Sequence, residues 1–458
     1  MTLVAGIDSS TQSTKAVLCR AEDGVVVDTA SAPHPDGTQC HPRHWEAALE
    51  AVRPLLERAE AVAVGAQQHG MVALDAAGEV VRPALLWNDT RSAPQAAALV
   101  TELGRERWAG LAGSVPVAAF TVAKLRWLRE TEPEHAARTA SVMLPHDWLT
   151  LRLGADEPVT DRGDASGTGY WSPSLGKYLP EILTGALGHE PAVPRVAGPS
   201  EIVGRTAWGA ALGPGTGDNM AAALGLGLEP GDVAVSIGTS GTAFAVSDVP
   251  AADPSGAVAG FADAGGRFLP LVCTLNAARV LTTTAGLLGC DVAELSRLAL
   301  AAEPGAGGLT LLPYLDGERT PDRPDASGVL SGLTTANATR ENLARAAVEA
   351  VLASLADAVA RLEGQGVRLR RVLLIGGGSR SEAVRRIAPE VFGRPVTVPE
   401  AAEYVAIGAA RQAAWALTGR FPEWPAVRAA EYAAEPRPEI RDRHAGLRDA
   451  TENWRSDR

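Results

Sequence analysis

The stretch VAGIDSSTQSTKAVL, residues 4–18, sets an apolar run on either side of one Asp, six small or polar residues and a Lys. Residues 3–7 predict a buried strand and 16–18 a second, with 8–15 as the polar turn between them. Hairpin turns are usually shorter and favour Asn-Gly or Asp-Gly. A longer turn rich in hydroxyls predicts a ligand.

The same device returns once. VAVSIGTSGTAFAV at residues 233–246 is again strand, Ser/Thr/Gly turn and strand, and an internal echo of this kind marks a chain built in two similar halves. Either turn alone is equally well explained as an ordinary loop; both together, at equivalent places, favour function. Around them strand-like runs (AVAVGA at 61–66, RVLLIG at 371–376) alternate with Ala/Leu-rich helical stretches at 93–103, 341–362 and 403–417, the pattern of an α/β fold. The halves divide as residues 1–231 and 232–419, within GLEPGD, followed by a tail at 420–458 rich in Arg, Glu, Asp and Pro that reads as a surface helix and loose end. Residues 156–180, dense in Gly, Asp and Ser, predict a loop-and-short-strand insertion near a working surface.

A chain of 458 residues exceeds one ordinary core. Its 46 % apolar content is that of a globular protein, and a net charge of −12 opposes both nucleic acid and an anionic membrane surface. No apolar run approaches the roughly 20 residues that span a bilayer, and Met1 leads into a strand without a basic segment, so a cytoplasmic protein is expected. Cys19, Cys40, Cys273 and Cys290 lack C-x-x-C spacing and read as reduced thiols.

Backbone N–H groups and hydroxyls in such turns donate hydrogen bonds to phosphate oxygens. The chain has no G-x-x-x-x-G-K-[ST], and no G-x-G-x-x-G joins a strand to a helix, so the phosphates are held another way. Thr11, Ser13, Thr14 and Lys15 in the first turn and Gly238, Thr239 and Ser240 in the second are the candidates. A third element, LLIGGGSRS at 373–381, either lets the backbone of Gly377, Gly378 and Ser379 approach a flat group such as adenosine or simply makes a tight strand-to-helix turn.

Phosphoryl transfer to an alcohol needs a carboxylate to accept the hydroxyl proton, a metal beside the phosphates and surrounding donors. Asp8 suits Mg²⁺, which takes one or two carboxylates plus phosphate oxygens. Asp218, in GPGTGDNMAAALG, suits the base; its plain alternative is a helix N-cap. A neutral sugar needs paired hydrogen-bonding groups over some apolar surface, which Gln67, Gln68, His69, Trp87, Asn88, Asp89 and Asn219 supply. Trp87 serves equally well as a core indole, and Asp89 with Arg91 as a loop-shaping ion pair.

GIDSSTQSTKA, QQHGM, LLWNDTRS, LPHDWLTLRL, GDNMAAALGLG, SIGTSGT, LPYLDGERTPDRPDASG, LSGLTTANATRENLARAAVEAV and IGGGSRS occur in this order from the N-terminus to about residue 419, and together they resemble the FGGY carbohydrate kinase family. The segment from Gly328 to Glu349 resembles the family's C-terminal signature closely; AKLRWLRET resembles the N-terminal one in part, keeping Lys124 and Trp127. The resemblance implies two ribonuclease-H-like domains of the actin-like ATPase type around a central cleft, with ATP and Mg²⁺ as cofactors. It also implies Asp218 as proton acceptor, Asp8 at the metal and phosphates, and Gln68 with His69 at the sugar. The run LPYLDGERTPDRPDA and the pairing of QQHG with GDN are most similar to bacterial xylulokinases, which implies conversion of D-xylulose to D-xylulose 5-phosphate by a homodimer. The alternatives are another ketose or polyol as substrate, or a non-catalytic sensor, for which an altered residue at the Asp218 position is expected. Two positions depart from that pattern: Gln68 stands where Met is common, and His146 where Lys is common.

Overall fold

In the computed structural model, which describes residues 1–454, β1 (Leu3–Ser9) pairs antiparallel with β2 (Ser13–Arg20), and β2 with β3 (Val26–Pro33). The strands run further than their apolar residues. Asp8 lies opposite Lys15 and Ser9 opposite Thr14, so the turn contracts to residues 10–12. The ladder belongs to the backbone, which pairs whatever side chain it carries. On its other side β1 runs parallel to β4 (Ala61–Ala66), whose every residue is buried. A short strand, Thr216–Gly217, lies parallel to the end of β4, with Thr216 opposite Gly65, and opens into α1 (Asp218–Leu226). The carboxyl ends of three parallel strands therefore share one edge, where open α/β sheets bind their ligands.

The second half repeats the device. β5 (Asp232–Ile237) pairs antiparallel with β6 (Gly241–Ala245), leaving residues 238–240 as the turn; β6 pairs antiparallel with β7 (Phe268–Thr274), and β5 runs parallel to β8 (Arg371–Ile375). β9 (Val396–Pro399) continues the sheet parallel to β8.

The chain forms two compact units, and each is interleaved in sequence. The first takes residues 1–228, 246–270 and 402–426; the second takes 229–245, 271–401 and the chain from 427 on. The crossing at 402 brings α2 (Tyr404–Thr418) onto the first sheet. A Cβ on Gly6 would come 1.9 Å from the Ala406 carbonyl oxygen, one on Gly408 1.8 Å from that of Ala221, and one on Gly225 2.0 Å from that of Tyr404. Strand β1 and helices α1 and α2 thus touch backbone to backbone, with Ala406, Ala409, Ala410, Ala413 and Ala414 buried around the contact.

The tail is no loose end. After α2, β10 (Ala429–Tyr432) adds antiparallel to β9, and α3 (Pro438–Ala450) buries Ile440 and His444 while Arg448 pairs with Asp357 at 2.6 Å. Without β10 the outer side of β9 would be an unpaired sheet edge.

A single methyl at Gly408 meets main-chain atoms that cannot rotate away. Gly408→Ala is expected to cost about 1–3 kcal/mol or more, read as a lowered thermal midpoint. An unchanged midpoint would refute the backbone contact.

Candidate active site

The edge formed by β1, β4 and Thr216–Gly217 carries Asp8, Gln67, Gln68, His69 and Asp218. A Cβ on Gly217 would lie 2.7 Å from Cγ of Gln68, so only glycine lets the Asp218 segment close on the Gln68 loop. The N-cap of α1 is Gly217, and Asp218 is the first helical residue; the plain capping role expected of its carboxylate is not the one it has. Instead Oδ1 accepts from the Asn219 amide N–H at 2.8 Å and from its side-chain Nδ2 at 2.9 Å, and Asn219 Nδ2 also donates to Gln68 Oε1 at 3.3 Å. Asp218 remains partly accessible.

Loss of water raises the Asp218 carboxyl from 3.8 to about 7, with the charge of Asp8 second and that of Asp164 also contributing. The α1 dipole opposes this, but such terms are worth about 0.3–1 kcal/mol against 1.36 per pKa unit. Burial wins, and Asp218 titrates near neutral pH, where a general base works best. Asp8 is likewise pushed up by burial, to about 6, although Ser10 Oγ donates to its Oδ1 at 2.7 Å. Lys15 does not neutralise it directly, since its Nζ bonds Glu403 at 2.7 Å. The hydroxyl of Ser9 and Oε1 of Gln67 are buried without a protein partner.

His69 takes a left-handed backbone conformation, φ 68°. Its Nδ1 lies 2.6 Å from the Gly167 carbonyl oxygen and so donates a hydrogen bond to it. The ring stacks on Phe120 at 4.8 Å. Gly167 follows the helix Arg162–Ser166 in the insertion at 156–180, and a buried polar chain secures that helix. Thr216 Oγ1 donates to Asp161 at 2.7 Å, Asp161 caps the helix through the Gly163 and Asp164 amides, and Asp164 pairs with His146 Nδ1 at 2.6 Å. Burial alone would strip His146 of its charge, but Asp147 and Asp164 hold its pKa at about 9. His146, Asp147 and Asp164 have the chemistry of metal ligands. A 2.6 Å separation is nevertheless a hydrogen bond, since two tetrahedral ligands at about 2.1 Å stand more than about 3 Å apart.

Other candidates sort by where their polar atoms go. Trp87 is 43 % exposed, which rules out the core role, and its indole donates to Thr11 Oγ1 at 2.8 Å. Asp89 accepts from Arg91 at 2.8 Å and from Thr38 at 2.7 Å, as a loop-shaping pair should. Thr14 turns inward to His34 Nε2 at 2.8 Å, so its hydroxyl is not presented at the turn; Ser13 is half-exposed.

In the second unit, residues 238–240 join β5 to β6. Gly376 has φ 83° and packs on the Ile237 backbone, and a Cβ on Gly378 would strike Ile237 Cγ2 at 2.4 Å; Ser379 Oγ is spent on the Gly376 carbonyl at 2.8 Å. A Cβ on Gly377 would meet nothing within 4 Å. Packing therefore accounts for Gly376 and Gly378, and only Gly377 faces open space. Motif reasoning gave no role to Phe120, Asp164 or Lys124, the last noted only as part of the signature; Asp164 and Lys124 bond His146 and His69, which lie 18 and 55 positions away in sequence, and Phe120 stacks on His69, contacts that leave no local signal.

Residues 3–227 match the N-terminal domain of the FGGY family of carbohydrate kinases, and residues 233–417 its C-terminal domain. The chain is 50 % identical over 437 residues to the xylulose kinase of Streptomyces coelicolor, covering 91 % of this chain and 88 % of that protein. It is 49 % identical over 441 residues to the xylulose kinase of Streptomyces rubiginosus, covering 92 % and 89 %. The crystal structure of xylulose kinase from Bifidobacterium adolescentis superimposes with a TM-score of 0.91 at 43 % identity, over 98 % of this chain and 99 % of that one.

Two tests follow from the geometry. Between pH 3.8 and about 7 the folded chain keeps a proton on Asp218 that the unfolded chain has released. The ionised carboxylate therefore lowers stability fully above that range, and the penalty fades as pH falls. Asp218→Asn should raise the thermal midpoint of the ligand-free protein at pH 8 by more than at pH 4.5; a gain independent of pH, or a loss, contradicts the assignment. Gly378→Ala should lower the midpoint, whereas Gly377→Ala should leave it unchanged and raise KM for ATP; equal midpoints for the two variants would refute the packing distinction.

Proposed function

The chain belongs to the FGGY family of carbohydrate kinases, with the family's two-domain actin-like fold, and from that premise we infer that it transfers the γ-phosphoryl group of ATP to the C5 hydroxyl of D-xylulose. The observation that carries the chemistry is the placing of two carboxylates, the buried Asp8 and the partly accessible Asp218, at one sheet edge, with Asp218 raised to about 7 by desolvation and by the charge of Asp8.

Asp218 accepts the hydroxyl proton as the phosphoryl group arrives, and the two Asn219 hydrogen bonds to Oδ1 aim its carboxylate. Gln68, His69 and Asn219 contact the sugar hydroxyls, the His69 ring being oriented by its Nδ1–H bond to the Gly167 carbonyl. Trp87, tethered to Thr11, offers an exposed aromatic surface to the carbon face of the sugar. Thr11, Ser13 and Lys15 in the first turn and Gly238, Thr239 and Ser240 in the second offer donors to phosphate, and Gly377 leaves room for adenosine.

Asp8 fits a divalent cation. It is a buried carboxylate raised to about 6 whose only described hydrogen-bonding side chain is Ser10, with the Lys15 ammonium drawn off to Glu403. One such carboxylate plus phosphate oxygens is a donor set suited to Mg²⁺, which when bound neutralises charge on the phosphates. Asp218 is intact, so the sensor alternative has no residue in its favour.

Coupled ADP release should be fastest with D-xylulose among D-xylulose, D-ribulose, L-ribulose, L-xylulose, glycerol and gluconate. Preference for another acceptor would replace the substrate, and release with none would remove the activity. Asp218→Asn should bind both substrates yet lose kcat by about 10³-fold or more, as for a group acting only in the transition state; near-normal turnover would take Asp218 out of the base role.

A further inference from the structure

Lys124 lies in the helix Thr121–Thr131 and is fully buried. Among the described residues no carboxylate comes within ion-pair distance of it. Its Nζ donates instead to two main-chain carbonyls, those of His69 and Ala119, each at 2.7 Å. An ammonium hydrogen-bonded only to neutral acceptors is a costly arrangement, and desolvation, partly offset by the charge of Asp89, draws its pKa down to about 7. A hydrophobic residue would be the ordinary occupant of such a position.

What Nζ holds is unusual in turn. Among the described residues, His69 is one of two non-glycine residues with positive φ, the other being Ala306. Such a conformation persists only when its surroundings over-determine it, and several contacts do so here. Lys124 and Thr121 Oγ1, the latter at 3.3 Å, both donate to the His69 carbonyl, Gly167 accepts from the ring, and Phe120 stacks beneath it. Phe120, Thr121 and Lys124 all belong to the first turns of one helix or the residue before it. That helix start is therefore a cradle for His69, and Lys124 makes its strongest contact.

We propose that Lys124 is a positioning residue for sugar recognition, holding His69 in the left-handed conformation that turns its ring toward the substrate. The proposal rests on the assignment of His69 to the sugar site. Lys124 touches no substrate atom itself; its effect passes through the His69 main chain, so it bears on the sugar and not on the nucleotide.

The experiment is a double-mutant cycle of Lys124→Met and His69→Ala in the full-length chain, with KM for D-xylulose, KM for ATP and kcat measured for each folded variant. Lys124→Met should raise KM for D-xylulose about tenfold or more while KM for ATP changes less than about threefold, and Lys124→Gln, which keeps a donor, should recover part of that loss. Once His69 is removed, the Lys124 substitution should add little. Should Lys124→Met fail to fold, Lys124→Gln takes its place in the cycle. Additive effects, or equal rises in both KM values, overturn the positioning role while leaving His69 at the sugar. An unchanged KM for D-xylulose in His69→Ala overturns the His69 assignment and the proposal with it.

Discussion

The contact of three backbones at Gly6, Gly225 and Gly408 is the constraint on which the candidate site depends. β1 carries Asp8 beside its last residue, α1 begins with Asp218, and α2 is wedged against both without an intervening side chain. Arg411, on α2, donates Nη1 to the Leu224 carbonyl at 3.0 Å and so closes the far end of α1. Glu403, just before α2, draws Lys15 toward itself at 2.7 Å. The helix that sets the distance between the two carboxylates thus begins 186 residues after Asp218 and 396 residues after Asp8. Close packing transmits small displacements because it leaves no slack.

That packing also sets the electrostatics. Asp8, Asp161 and Asp218 are all raised by burial, to about 6, 6 and 7, and the buried His146 imidazolium answers the carboxylates of Asp147 and Asp164. The first unit therefore holds several carboxyls whose ionised form burial disfavours. A ligand that brings positive charge, or a hydroxyl ready to give up a proton, relieves that penalty. Sites built for chemistry often carry such a burden at the expense of stability.

The α/β class and the twofold use of a strand-turn-strand device were legible because both are local: apolar periodicity and a run of hydroxyl residues mark them wherever the chain goes. Asp8, Gln68, His69 and Asp218 were legible as chemistry in company, and the family likeness gave them roles. The glycines at 376–378 were harder, since a glycine that admits a ligand and one that admits Ile237 are written alike. Thr14 looked equivalent to Thr11 until His34 claimed its hydroxyl. The tail looked loose because β10 and α3 are polar, and their value lies in covering an edge that no neighbouring sequence announces.

The sequence by itself determined which segments pair and coil and which residues carry donors, acceptors and carboxylates, because backbone preference and side-chain chemistry act over a few residues. Only the tertiary structure decided that Asp218 starts its helix without capping it, that its carboxyl titrates near 7, and that a buried ammonium at 124 grips the carbonyl of residue 69. Solvation and hydrogen-bond partnership are properties of what surrounds an atom, and those surroundings are assembled from parts of the chain far apart in sequence.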